Sequence, residues 1–249
     1  MNIPKNLMFA TSMSKRLYDH PAHMSLKRIP YDFPNNNIHF FHENSFGELN
    51  QEIDISKLPS NVILHDLFID NIWLLNFLET SQFKDCHKLD PMAEYYNKDS
   101  PFWFRKVVSI ANFIEVLNIG DIGIWVDSDC YITSELPKEL LEYLANHDWL
   151  SIYRKNTSIE SGFYMININE KTKQFAKDYL NHYLSLDVFK EDIWADNWAI
   201  ASCFNKYGND MTLGGLTPEF GCPVDIGNYI AHGKGPFQHI RSGNGEYKI

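Results

Sequence analysis

Apolar runs of strand length recur along the chain at residues 7–10, 38–41, 62–64, 122–126, 149–153 and 163–168. Between them the period changes. Phe104, Val107, Val108, Ala111, Ile114, Val116 and Leu117 recur at intervals of three and four, and Phe175, Tyr179, Tyr183 and Leu186 do so again with charged residues between, which is the spacing of one helical face. Asn169 stands where an N-cap is wanted before a helix over 170–186, and Pro137 opens another over 138–145, where its missing N–H costs nothing. Strands alternating with helices predict an α/β fold with a mainly parallel central sheet flanked by helices. No Pro/Ser-rich linker, repeat or low-complexity tract interrupts the pattern, so residues 1–249 read as a single domain. Residues 82–101 show no clear period and read as a loop; the glycine-rich tail from Gly208 reads as a terminus that helps form a site.

Composition narrows the classes of function. A chain of 249 residues, 44% hydrophobic, can bury one large core without disulfide staples. The net charge of -10, with 32 acidic against 22 basic residues, repels phosphate backbones and anionic lipid, and no basic patch offsets it, which argues against nucleic-acid binding. A small anionic ligand would need an intervening cation. Cys86, Cys130, Cys203 and Cys222 form no C-x-x-C pair and read as reduced, buried thiols of a reducing compartment. The opening MNIPKNLMFATSM lacks the apolar core of a signal peptide, and no run reaches the ~18 apolar residues of a membrane span. The expectation is a soluble, cytoplasmic protein with no transmembrane segment, in which the glycosylation triplet Asn156-Thr157-Ser158 is fortuitous.

Chemistry enters at IWVDSDCYI, residues 124–132, where a buried strand runs into two carboxylates. On an extended chain residues i and i+2 project to one side, so Asp127 and Asp129 share a space beyond the carboxyl end of a strand, where open α/β sheets bind ligands. Two like charges that close call for a cation with oxygen preference, Mg²⁺ or Mn²⁺; the alternative is a solvated pair capping a turn or helix. Three other segments bear on the choice. Residues 229–236 place His232 and Lys234 among glycines, and imidazole favours Mn²⁺. Glu160 opens a further apolar run, and Asp196 lies between Trp194 and Trp198 at the start of a helical segment, where the indoles would offer a sugar a stacking face or simply join the core. His39, His42 and His65 sit on apolar runs and read as structural, and Arg105–Lys106 reads as the solvated start of a helix.

The ordered set LMFATSMSKRLY, FRKVVSIANFIEVLNIGDIGIWVDSDC, ESGFYMININ, ADNWAI and AHGKG resembles the metal-dependent glycosyltransferases of the GT-A fold. The likeness is greatest to the small single-domain enzymes of bacterial and large-DNA-virus glycan clusters, and more distant to glycogenin-type enzymes. The resemblance implies a Rossmann-like domain that moves a hexose from a nucleotide-diphosphate sugar, UDP-linked above all, to a glycan hydroxyl acceptor. It implies that Asp129, Asp127 and His232 hold Mn²⁺ or Mg²⁺, with Asp127 alternatively on ribose or sugar hydroxyls. Thr11, Ser12, Arg16, Ser128, Lys106 and Lys234 would contact the donor, the lysines at its phosphates. Asp196 would be the catalytic base and Glu160 would serve the sugar or acceptor. Asn197 stands where the glycogenin-like pattern has Gln, and the tail His232-Gly233-Lys234-Gly235 is shorter, so retention or inversion of configuration stays open. Two alternatives accompany this reading. One is a transferase-like domain that only binds glycan or nucleotide sugar. The other is a D-x-D phosphohydrolase, disfavoured because the pair lies mid-chain and is followed by Tyr131.

Overall fold

A computed structural model describes residues 6–46, 52–81, 83–84, 100–153, 159–207, 210–232 and 235–236, with the backbone alone for Phe46, His232, Gly235 and Pro236. In chain order its elements are β1 (Leu7–Met13), α1 (Lys15–Asp19), α2 (Ser25–Asp32), β2 (Ile38–His42), β3 (Val62–Asp66), α3 (Leu67–Asp70), α4 (Ile72–Thr80) and α5 (Ser100–Val116). There follow β4 (Ile122–Val126), β5 (Cys130–Ile132), α6 (Lys138–Leu144), β6 (Trp149–Tyr153), β7 (Ile159–Asn167), α7 (Glu170–Leu184), α8 (Asp196–Tyr207), β8 (Leu213–Gly215), β9 (Ile230–His232) and β10 (Gly235–Pro236). Two strands, β4 and β6, coincide with the apolar runs read from the sequence. Cys86, the segment 85–99 and the Asn156 triplet lie outside the described residues.

Seven strands form one sheet in the order β3-β2-β1-β4-β7-β6-β8. Neighbours pair in parallel except at β7, which runs against both β4 and β6. The fold is therefore α/β, with a mainly parallel mixed sheet and helices on both faces. Alternation along the central strands supplies the two cores. Trp125 of β4 and Tyr164 and Ile166 of β7 face α5, α7 and α8, whereas Ile122, Ile124 and Val126, with Phe163 and Met165, face α2 and α6. A second sheet, β10-β9-β5, is antiparallel and lays His232 opposite Cys130 in register.

Asn169 caps α7 as its position suggested. Its side-chain oxygen accepts from the backbone N–H of Lys171 at 2.9 Å and of Thr172 at 3.0 Å, while the Thr172 hydroxyl accepts from the Asn169 N–H at 2.9 Å. Asn169→Ala leaves those N–H groups without their acceptor and is expected to cost about 1 kcal/mol, read as a lower urea midpoint at unchanged m-value.

Candidate functional site

The chain leaves β1 for β2 on one side of the sheet and has β4 on the other, so the strand order reverses between β1 and β4. At such a switch point the adjoining loops separate and leave a crevice beyond the carboxyl ends of the strands. Asp127 follows directly on β4. Continuing the alternation, it lies on the same side as Trp125, toward α5 and α8. There Lys106 of α5 reaches it: the Lys106 Nζ lies 2.7 Å from Asp127 Oδ2 and 2.7 Å from Asp196 Oδ2, and donates to the Ser161 carbonyl at 2.9 Å. The other Asp127 oxygen accepts from the Trp125 indole N–H at 2.8 Å. Lys106 is 8% exposed and Asp196 2%. Asp196 is the first residue of α8, where the helix's unpaired N–H groups favour negative charge.

Burial alone would drive the Lys106 proton off, but the Asp127 and Asp196 carboxylates outweigh it and hold the ammonium charged, with its pKa raised. Asp127 moves the other way from an ordinary carboxylate. Burial, the largest cause, together with the Asp129 and Asp196 charges pushes it up to about 6 against the pull of Lys106. One ammonium thus faces more negative charge than it neutralises.

The Asp127–Asp129 geometry differs from the extended chain expected. The Cys130 N–H donates to the Asp127 carbonyl at 2.9 Å, closing a four-residue turn, and the Asp127 N–H donates to the Gly162 carbonyl at 2.9 Å. Asp129 therefore occupies a turn position beside Asp127. Gly162 admits this approach. A Cβ there would stand 3.2 Å from Cys130 Sγ, 3.5 Å from Glu160 Oε1 and 3.8 Å from Asp127 Oδ2. Cys130 is free and buried, and burial plus the charges of Asp129, Asp127 and Glu160 raise its pKa well above that of an ordinary thiol, which keeps it protonated and unreactive. Cys203 and Cys222 are likewise free and buried.

The turn is held from the other side by the segment before α2. The Ser25 N–H donates to the Ser128 carbonyl at 3.1 Å, His23 Nδ1 lies 2.6 Å from the Ser128 hydroxyl, and the Ser25 and Thr11 hydroxyls share a hydrogen bond of 2.9 Å. Thr11 is fully enclosed, so its side chain braces this network instead of facing a nucleotide. Ser12 is half-buried at the carboxyl end of β1, and Arg16 is exposed on α1.

Several other sequence expectations change. Lys106 and Arg105 are buried, not solvated; α5 is enclosed on every side from Phe104 to Ala111, and Arg105 pairs with Glu43 at 2.7 Å. Asp196 is an ion-pair partner closed off from an acceptor in this structure. Trp194 is a core residue, with its ring 4.5 Å from that of Phe189 and its N–H on the Glu191 carbonyl, so of the two indoles only Trp198, 38% exposed, offers a face. His39 and His65 pair with each other at 2.9 Å, with His39 lowered to about 4 chiefly by burial, in keeping with a structural role. The backbone of His232 lies beside the turn through its register with Cys130; its side chain, and Lys234, lie outside the described residues. Trp125, Ser161, His23 and Ser25 were not singled out by sequence. Trp125 carried a legible signal, since it precedes Asp127 by two on a strand. Among the described residues, no three His, Cys, Asp or Glu side chains converge as a ready metal cage, and no helix is long and apolar enough to cross a membrane.

No protein-family model and no curated protein matches the chain. Among solved structures it is similar to the glycosyltransferase GlyE of Streptococcus pneumoniae TIGR4, at a TM-score of 0.47 and 15% identity, covering 88% of this chain and 46% of that one. It is also similar to mouse xyloside xylosyltransferase 1, at a TM-score of 0.47 and 13% identity, covering 85% of this chain and 84% of that one. The chain thus spans about half the length of the first. Likeness at this level concerns the arrangement of strands and helices and carries no argument about chemistry.

Proposed function

We propose that this chain is a GT-A-like glycosyltransferase that moves a sugar from a nucleotide-diphosphate donor, UDP-linked in the first instance, to a hydroxyl of a glycan acceptor. The observation that carries the reading is the carboxylate cluster fixed by Lys106 at the end of β4, beside the switch point. Lys106 holds Asp127 and Asp196, and the charges of Asp129 and Glu160 act close by; with no ready protein cage among the described residues, a divalent cation with oxygen preference would draw part of its coordination from the donor's own oxygens. Burial accounts for most of the rise in the Asp127 pKa, and the Asp129 and Asp196 charges add to it.

Asp129 is the leading ligand, because both Asp127 oxygens already accept from Lys106 and Trp125. His232 is the second ligand we assign, and the backbone register of its strand with Cys130 supports the assignment. A bound Mn²⁺ or Mg²⁺ would supply Lewis-acid stabilisation of the diphosphate leaving group. The chain's own part is positional. Lys106 locks Asp127 and Asp196 in place, which leaves Asp127 oriented for donor hydroxyls. Glu160, half-buried where β7 enters the crevice, is better situated than the enclosed Asp196 to take a proton from an acceptor hydroxyl. Ser12, Arg16 and Ser128 are assigned to the donor, and Lys234 to its phosphates, by sequence resemblance.

Thermal shift with Mn²⁺ and a panel of UDP-, GDP- and dTDP-sugars tests the proposal, since ligand-linked stabilisation grows with [L]/Kd and ranks donors directly. The expected outcome is a metal-dependent shift with at least one donor, together with slow release of the nucleoside diphosphate without acceptor. A shift with no release by any acceptor or water would make the chain a binding module, and no shift with any donor would overturn the reading.

A further inference from the structure

Six of the twelve large apolar side chains exposed among the described residues fall within thirteen positions: Ile63 and Leu64 on β3, Ile69 on α3, and Ile72, Trp73 and Leu75 on α4. Ile72 is 83% exposed and Ile69 63%. Strand β3 is also the end of the seven-stranded sheet, paired with β2 alone among the described residues. Its sequence VILHD carries neither lysine nor proline, the usual guards of a free edge. Among the described residues this edge therefore combines main-chain donors and acceptors that no strand pairs with apolar side chains on both faces of the sheet, Ile63 on one and Leu64 on the other, as in an edge that adds a strand from a partner.

We infer that this face is the interface of a two-fold symmetric dimer, with β3 pairing antiparallel to β3 of a second copy. Three observations favour a second copy over other occupants. First, a two-fold axis normal to the sheet requires residues opposite each other to point to the same face. The register that pairs all five residues of β3 meets this requirement, with Leu64 on Leu64, Ile63 on His65 and Val62 on Asp66, so no like charges oppose across the new ladder. Second, the fractional exposures of these six side chains correspond to on the order of 500 Å² per copy, so a symmetric pair that buried them would reach the ~1,000 Å² total that a specific interface requires. Third, residues 58–83 contain Asp66, Asp70 and Glu79 and no Lys or Arg, which sets the face against an anionic lipid surface.

This inference does not depend on the reaction catalysed. Sedimentation equilibrium of the full chain between about 1 and 100 µM tests it, with hydrogen exchange reporting on β3. A dimer of twice the chain mass is expected, with β3 amides more protected at the higher concentration. Ile72→Arg and Leu64→Lys, both at exposed positions, are each expected to raise the dimer dissociation constant at least tenfold while leaving the thermal midpoint of the monomer in place. A monomer throughout this range overturns the proposal, as does a dimer undiminished in both variants. So does a monomer that binds phosphatidylcholine or phosphatidylcholine/phosphatidylglycerol vesicles through the same residues.

Discussion

Lys106→Met is expected to destabilise the fold by about 3–5 kcal/mol at neutral pH, the usual cost of removing one partner from a buried ion pair and stranding the other. Methionine roughly keeps the length of the side chain, so packing on α5 is little altered, but Asp127 and Asp196 lose the ammonium 2.7 Å from each. The dependence on pH separates charge from packing. In the native protein the Asp127 pKa is pushed up to about 6, above the ordinary aspartate value of 3.8. This group's contribution to stability is therefore fully present below about 3.8 and is lost as pH rises through 6. Without Lys106 the folded pKa rises further, so the deficit grows with pH. Urea denaturation of the metal-free proteins at pH 5 and pH 8 should show a larger difference between variant and parent at pH 8. A difference independent of pH would assign the loss to packing and remove the electrostatic role given to Lys106.

Asp129→Ala carries the largest expected effect on turnover. On the proposed function, losing a metal held by Asp129 would remove several kcal/mol of charge stabilisation from a departing diphosphate, so metal-dependent release of nucleoside diphosphate should fall by about 10³ or more. The fold should hardly respond, because Asp129 is half-exposed on a turn and contributes unfavourable charge to its neighbour Asp127. The two substitutions thus separate. Lys106→Met should lower stability and activity together, whereas Asp129→Ala should lower activity while leaving the urea midpoint nearly unchanged. Undiminished release in Asp129→Ala would refute the metal assignment.

Much of the architecture was legible in the sequence because the central strands are buried on both faces and their apolar runs are unbroken. Strand β4 and strand β6 were bounded to the residue, and the cap at Asn169 followed from side-chain chemistry. Other elements carried no such mark. In α3 and α4, apolar residues fall on both the buried and the exposed side, Leu74 inside and Ile72, Trp73 and Leu75 outside, so no single helical stripe stands out. The three-residue strands β5, β8 and β9 are too short to alternate. At the site, two acids at the end of β4 were visible, but their relation was not, because a backbone hydrogen bond within 127–130 folds the chain where extension was assumed. The fate of Lys106 was hidden for a different reason. A lysine among apolar residues on a helix reads as solvated unless the helix is known to be enclosed, and enclosure depends on α7 and α8, far along the chain.

The same long separations bear on how the site comes into being during folding. Lys106, Glu160 and Asp196 arrive on α5, β7 and α8, and Asp127 directly after β4, while β7 delivers its first residues to the edge where its neighbours β4 and β6 deliver their last. No hairpin or single helix pair contains the cluster, so its loop-closure entropy must be met before any of its ion pairs can form. The Lys106–carboxylate cluster is therefore a late and all-or-none product of folding. Partial openings that free any one of these four elements dismantle it, which makes ligand binding at this edge a report on the integrity of the whole sheet.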